Sequence, residues 1–389
     1  MCIFNMGFSI LYVLTLKDLF KHYLVLEPSE AQFFSSITTI PWGLKVLFGI
    51  FIDNVRIFGS VRTIHLKISG VSMAVILLSL RIPILQDKYI TLVLLFWYNM
   101  FASLTDVCMN AILVSLARLD PIHGPSDLQS LHIIAVCIGG IWGSLVASVV
   151  NETMHPYDVF AIYSFLLFFI SVCAFFVKDF PIEEHMGVCR NIKISLKHMT
   201  NRVVFGTMAF MFISRAIIPS YQEIMYYFFI NVLEFSKTFI ALLSLIAFSS
   251  GIFGSFIYNW LLKRLEFRLT MFISQLIVGI VIIFTYLLVS RISNEILGIN
   301  DIVFAVFTNA AMDILYVAFV FMPMMVVQTK IVPKNVEATV YSMFGSLKNL
   351  SNDTISPFMG GIIAKNFGVT KNNMSNMSKI FLFKYNFLF

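Results

Sequence analysis

The sequence predicts an all-α, polytopic membrane protein. Three observations carry this. Of 389 residues, 59% are hydrophobic and only 12% are charged. Several stretches of about 20 residues, the length that crosses a bilayer, contain no Asp, Glu, Lys or Arg. The basic residues gather in the gaps between such stretches. A soluble domain carries about 25% charged residues, and its surface could not absorb this much apolar area. The net charge of +6 is spread over loops rather than one element, so no nucleic-acid partner is expected. Five cysteines show no paired spacing, so neither a disulfide framework nor a zinc site is predicted. The first 16 residues lack a basic leading segment and read as part of a first helix, not a cleaved signal.

The clearest spans are 128–150, 238–262 and 269–290, with 159–177 close behind. With the weaker stretches, helices are predicted at 1–19, 31–52, 64–84, 89–117, 129–150, 158–177, 203–230, 237–262, 269–290, 302–329 and 336–364. A twelfth would begin near Ser378, but the remnant from Ile380 is too short to span, so either helix 12 is truncated or the protein has eleven spans. With the N-terminus in the cytosol, the cytosolic loops hold fourteen Lys and Arg against eight outside, as the positive-inside bias requires.

The longest hydrophilic stretch, 178–202, divides the chain into a six-helix bundle at 1–177 and a second bundle at 203–389. Gly139–Gly140 on helix 5 is echoed by Gly360–Gly361 on helix 11, and Asp106 on helix 4 by Asp313 on helix 10. A six-plus-six arrangement with a cytosolic central loop is the major-facilitator plan, whose halves are parallel repeats.

Charges inside the membrane cost roughly 2.5–3.5 kcal/mol each on insertion scales. At about 1.5 Å per residue, Lys45 lies on the order of 12 Å inside helix 2, Asp106 about 18 Å from Arg118, and Arg215 about 20 Å from Arg202. Lys348, Glu223, Asp313 and Asp353 also fall within spans. These groups must face a watered cavity or pair with one another. Asp106 and Asn110 share a face of helix 4. Arg215, Pro219 and Gln222 are expected along one stripe of helix 7, and Ser346, Asn349 and Asp353 along one of helix 11. Lys45 is either a partner for a carboxylate or a snorkelling lysine. Pro41 and Trp42 read as a helix start and an interface aromatic. In a major-facilitator protein helices 1, 4, 7 and 10 line the central cavity, which would gather Asp106, Arg215 and Asp313 around one volume.

Gly49, Asp53, Gly59 and Arg62 resemble the signature between helices 2 and 3 of major-facilitator proteins, where the carboxylate latches the two halves in one access state. PWGLKVLFGIFID at 41–53, TDVCMNA at 105–111, LQS at 128–130 and VPKNVEAT at 332–339, followed by Asn349, together resemble the folate–biopterin transporter family. The similarity runs from helix 1 to helix 11. It departs at Val46, where the family has Pro, at Val332, where it has Cys, and at Asn110, where it has a second Asp; Arg62 alone stands for an Arg-Arg cluster. Losing that Asp removes one candidate protonation site.

The resemblance implies carriage of folate, biopterin or a related pterin by alternating access, with protons as the candidate coupling ion. The substrate-binding or coupling candidates are Lys45, Asp106, Asn110, Arg215, Glu223, Asp313 and Asn349. Arg215 and Lys45 would meet a glutamate-tail carboxylate, and Asp106 the pterin amino edge or a proton. Two alternatives are another small metabolite, such as an amino acid or organic anion, and an inactive truncated relative. No HExxH, Gly-x-Gly-Asp or Cys/His cluster suggests an enzyme. No metal or cofactor is expected. A monomer in the plasma membrane is the default for such a carrier.

Overall fold

The computed structural model of the protein describes residues 1–55, 62–117, 119–120, 123–177, 188–262, 265–332 and 337–386. Among these, seven helices are long and apolar enough to cross a membrane. The first group comprises α1 (Cys2–Tyr23), α2 (Pro28–Thr38, Ile40–Gly43 and Lys45–Asn54), α3 (Thr63–Ser79), α4 (Lys88–Ala117), α5 (Gly124–Thr153) and α6 (Pro156–Phe176). A basic linker helix, Val188–Met199, follows. The second group comprises α7 (Arg202–Ala216 and Gln222–Asn231), α8 (Lys237–Leu262), α9 (Phe267–Val289), α10 (Asp301–Ile331), α11 (Glu337–Asn349, Leu350–Ile355 and Ser356–Asn366) and α12 (Met377–Asn386). The remnant predicted to follow Ser378 is thus a ten-residue helix. It packs on α9, with Ile380 and Phe381 buried.

The packing repeats with a shift of six helices. α1 packs on α5 as α7 packs on α11; α3 on α6 as α9 on α12; α2 on α4 as α8 on α10. Two seams join the groups, α2 with α11 and α5 with α8, and these map onto each other under the same shift. The glycine pairs serve these contacts. A Cβ on Gly139 would lie 1.9 Å from the Phe4 carbonyl oxygen of α1, and one on Gly360 would lie 1.9 Å from that of Ser220 in α7. The second glycine of each pair faces an aromatic ring of the other group, Gly140 against Phe248 of α8 and Gly361 against Phe33 of α2. Small residues let helix backbones approach where lipid gives no hydrophobic drive. The outward faces carry exposed Phe165, Phe168, Phe253 and Phe272, an apolar surface that only lipid can cover.

Two predicted helices are interrupted. Helix 2 was expected to be continuous, but Pro41 has no N–H to donate and the chain kinks at Thr39 and Leu44. Helix 7 breaks at 217–221 around Pro219. Arg215, Pro219 and Gln222 therefore share no helical stripe. In a membrane the freed backbone groups need partners, and α11 supplies them. Ser220 N–H donates to the Ser356 carbonyl at 3.1 Å, and Ser356 Oγ donates to that of Ile218 at 2.5 Å.

Candidate functional site

A cavity of about 440 Å³ lies between the two groups. That falls within the roughly 300–1,000 Å³ of small-molecule sites. Its walls come from α1, α2, α4, α7, α10 and α11, with Met73 of α3, His132 of α5 and Tyr163 of α6.

The break in α2 sets its centre. Because the helix restarts at Lys45, that ammonium sits in a first turn, where the helix dipole disfavours a cation. Two contacts compensate. Lys45 Nζ donates to Asp106 Oδ2 of α4 at 2.5 Å, with both side chains buried, and lies 4.2 Å from the centre of the Trp42 ring. Trp42 Nε1 in turn donates to Asn99 Oδ1 at 2.8 Å. Trp42 is thus a wall of the cavity rather than an interface anchor. One helical turn past Asp106, Asn110 also lines the cavity, and its Oδ1 has no hydrogen-bond partner among the described residues. The same holds for His132 Nδ1.

Of the predicted site residues, Lys45, Asp106, Asn110, Glu223 and Asn349 line this one cavity. Glu223 lies in the first turn of the second segment of α7, and its N–H donates to Gln32 Oε1 at 3.0 Å. Ser346, Asn349 and Asp353 form a seam against α2. Ser346 Oγ accepts from Val46 N–H at 2.7 Å, Asn349 Nδ2 reaches the Trp42 carbonyl at 3.5 Å, and the Asp353 carbonyl accepts from Thr39 Oγ1 at 2.6 Å.

Arg215 and Asp313 do not join them. Arg215 ends the first α7 segment, where the helix dipole favours a cation. It lines a smaller adjoining cavity, with its guanidinium 5.4 Å from the Tyr316 ring centre. Asp313 lines neither cavity, and its Oδ2 has no hydrogen-bond partner among the described residues. Phe321, Met325 and Gln328 are the α10 residues that reach the large cavity, all at or beyond the π-helical turn Tyr316–Phe321. The expected grouping of Asp106, Arg215 and Asp313 around one volume is corrected accordingly.

Contacts between the groups lie at both ends of the cavity. On the side assigned to the cytosol, Asp53 Oδ2 accepts from Thr339 N–H at 2.8 Å and from Thr339 Oγ1 at 2.7 Å. Thr339 is in the first turn of α11, so Asp53 satisfies an orphan helix donor from across the seam. Gly49 lies under the same turn; a Cβ there would meet Ser342 Oγ at 2.2 Å and the Ala338 carbonyl oxygen at 2.6 Å. Arg62 is fully buried and donates within the first group, to Ser115 Oγ at 2.8 Å and the Ala111 carbonyl at 3.3 Å. Gly59 lies outside the described residues. On the opposite side, Lys237 Nζ is 2.7 Å from Asp18 Oδ1, and Tyr227 donates to the Leu26 carbonyl at 2.8 Å.

The BT1 family pattern matches residues 6–386. The chain belongs to the BT1 family. Curated relatives include a probable folate-biopterin transporter 4 of Arabidopsis thaliana, 24% identical over 96% of this chain and 89% of the relative. A folate-biopterin transporter of Synechocystis is 26% identical over 92% and 72%, and folate transporter 1 of Plasmodium falciparum 23% over 95% and 73%. Among solved structures, the proton:xylose symporter XylE matches with TM-score 0.69 at 13% identity, covering 100% of this chain and 90% of that one. The nucleoside transporter NupG matches with TM-score 0.70 at 14% identity, covering 100% and 94%. Those two likenesses establish the fold: this BT1-family chain is a multi-pass membrane protein with the major-facilitator architecture.

Within this BT1-family chain, sequence reasoning missed the uncharged polar wall. Gln32, Asn99, His132 and Gln328 line the cavity or support it. Each is an uncharged polar residue within a predicted span, a signal that counting charges alone passes over.

The Asp53 contact carries an expectation of its own. Removing a side-chain cap costs about 0.5–2 kcal/mol. Asp53→Ala should therefore shift the balance between access states by about tenfold, lowering maximal uptake while equilibrium substrate binding stays unchanged. A variant with undiminished maximal uptake would exclude a latch here.

Proposed function

We propose that this chain carries folate, biopterin or a related pterin across a membrane by alternating access, coupled to protons and acting as a monomer in the plasma membrane. The observation that carries the reading is the buried Lys45–Asp106 pair on the wall of a cavity set between two helix groups. The names of the curated relatives support the substrate class. The pterin ring presents amino donors and ring acceptors on one edge. Asp106 and Asn110 Oδ1, which has no partner among the described residues, accept such donors, and Lys45 donates to such acceptors. Trp42 and Tyr98 offer flat apolar faces beside them.

Alternating access rests on two halves, 1–177 and 203–389, joined through 178–202. The six-helix repeat in the packing supports that division, and polar contacts at both ends of the cavity supply what each half-cycle must break and remake. The test is uptake of radiolabelled folic acid and biopterin by cells lacking their own carrier. Saturable, acid-stimulated uptake is expected. Surface-expressed protein that moves neither compound would remove the pterin assignment.

A further inference from the structure

The cavity is divided by charge. On the α2–α4 side Lys45 is neutralised by Asp106. On the α10–α11 side Lys348 enters the cavity with its Nζ 4.4 Å from the Phe321 ring centre. Arg215 lies behind it over Tyr316. Among the described residues neither cation has a side-chain hydrogen bond or close ion pair, and the nearby Asp353 carboxylate acts on Lys348 only through space. Lys348, Phe321, Met325 and Gln328 line both the large and the small cavity, so Lys348 stands at the junction between them. Asn352 lines the small cavity beside Arg215 and adds an amide. Asp353, one turn on from Lys348, has its carboxylate engaged by Asn352 Nδ2 at 2.6 Å.

Two cations held over aromatic rings, with the single Asp353 carboxylate near Lys348 but in an ion pair with neither, leave net positive charge and form a site for an anion. An arginine fork takes a carboxylate in two parallel hydrogen bonds, and a lysine takes one as a point charge. We infer that Lys348, with Arg215 behind it, is the specificity determinant that docks the carboxylate-bearing end of the substrate. The donor-rich ring then faces Asp106 and Asn110. The inference rests on the pterin reading and deepens it: the preferred cargo is a pterin with an acidic tail, such as folate, over a neutral pterin such as biopterin. Lys45, whose charge is already met, is not the tail's partner.

The test compares folate and biopterin uptake in wild type, Lys348→Gln and Lys348→Arg at matched surface levels. Loss of one charge-assisted hydrogen bond should raise the folate KM at least about tenfold in Lys348→Gln and leave the biopterin KM within about twofold. Lys348→Arg should restore folate uptake. A thermal melting temperature in detergent matching that of wild type establishes separately that the variant is folded. A second measurement uses the free tail, p-aminobenzoylglutamate, as an inhibitor of folate uptake. It should compete in wild type and lose potency at least about tenfold in Lys348→Gln. An equal loss for both substrates, or undiminished inhibition by the free tail, would overturn the inference and leave the pterin reading standing. Wild-type protein that moves neither substrate would instead overturn the reading itself.

Discussion

Exchange of Asp106 for Asn is expected to end saturable uptake and to destabilise the protein together. Lys45 Nζ and Asp106 Oδ2 are 2.5 Å apart and both side chains are 7% exposed, so neither charge has recourse to bulk water. Breaking such a pair by removing one partner costs about 3–5 kcal/mol, because the other charge stays buried and unmet. Replacing both members with apolar groups of similar size is often neutral. The two effects therefore separate in the double variant Lys45→Met/Asp106→Leu. Its thermal stability in detergent should return to near wild type, while uptake stays at least about a hundredfold down, the loss of two charge-assisted contacts to cargo. Recovery of uptake along with stability would mean that the pair only fastens α2 to α4.

Gly360→Val is expected to prevent stable folding. A Cβ at that position falls 1.9 Å from the Ser220 carbonyl oxygen, which is backbone and cannot rotate away. Moving α11 outward would also strip the Ser220 and Ile218 backbone groups of their partners on Ser356. Overpacking alone costs about 1–3 kcal/mol, and each backbone group orphaned in a membrane adds several more. Little protein should reach the surface, and what does should melt early. Gly206→Ala is the control, since nothing lies within 4 Å of a Cβ there; it should express normally. Normal expression of Gly360→Val would show that α7 and α11 have room to separate.

Much of this fold is legible in sequence because bilayer solvation writes each span as an apolar run, and most of the predicted helix ends fall within a few residues of those observed. The interruptions are less legible. Pro41 and Pro219 announce that a backbone donor is missing, but whether the helix kinks or breaks depends on partners such as Ser356 that lie far along the chain. The candidate site was legible in type and only partly in place. Depth within a span marked Lys45, Asp106 and Arg215 as costly, and the cost required a partner or water. Which carboxylate meets Lys45, and that Arg215 and Asp313 miss the large cavity, depend on helix rotation and on the π-helical turn of α10. Periodicity extrapolated at 3.6 residues per turn cannot register such a turn.

The two seams between the helix groups differ in stiffness. α5 and α8 run unbroken across most of their length, Gly124–Thr153 and Lys237–Ile257. α2 is kinked and α11 wound into a π-helical turn where Thr39 meets the Asp353 carbonyl. A pair of straight rods works as a lever, so prising them apart at one end presses them together at the other. A jointed pair transmits no such constraint. Its lower arms can part at Asp53 and Thr339 while its upper arms stay closed at Phe33 and Gly361. In the alternating-access cycle proposed above, strict alternation, and with it protection of the membrane against leak, would depend on the lever, while the jointed seam would give cargo its doorway on either side. Damage confined to the jointed seam should slow such a machine, whereas a proline placed midway along α5 should make it leak.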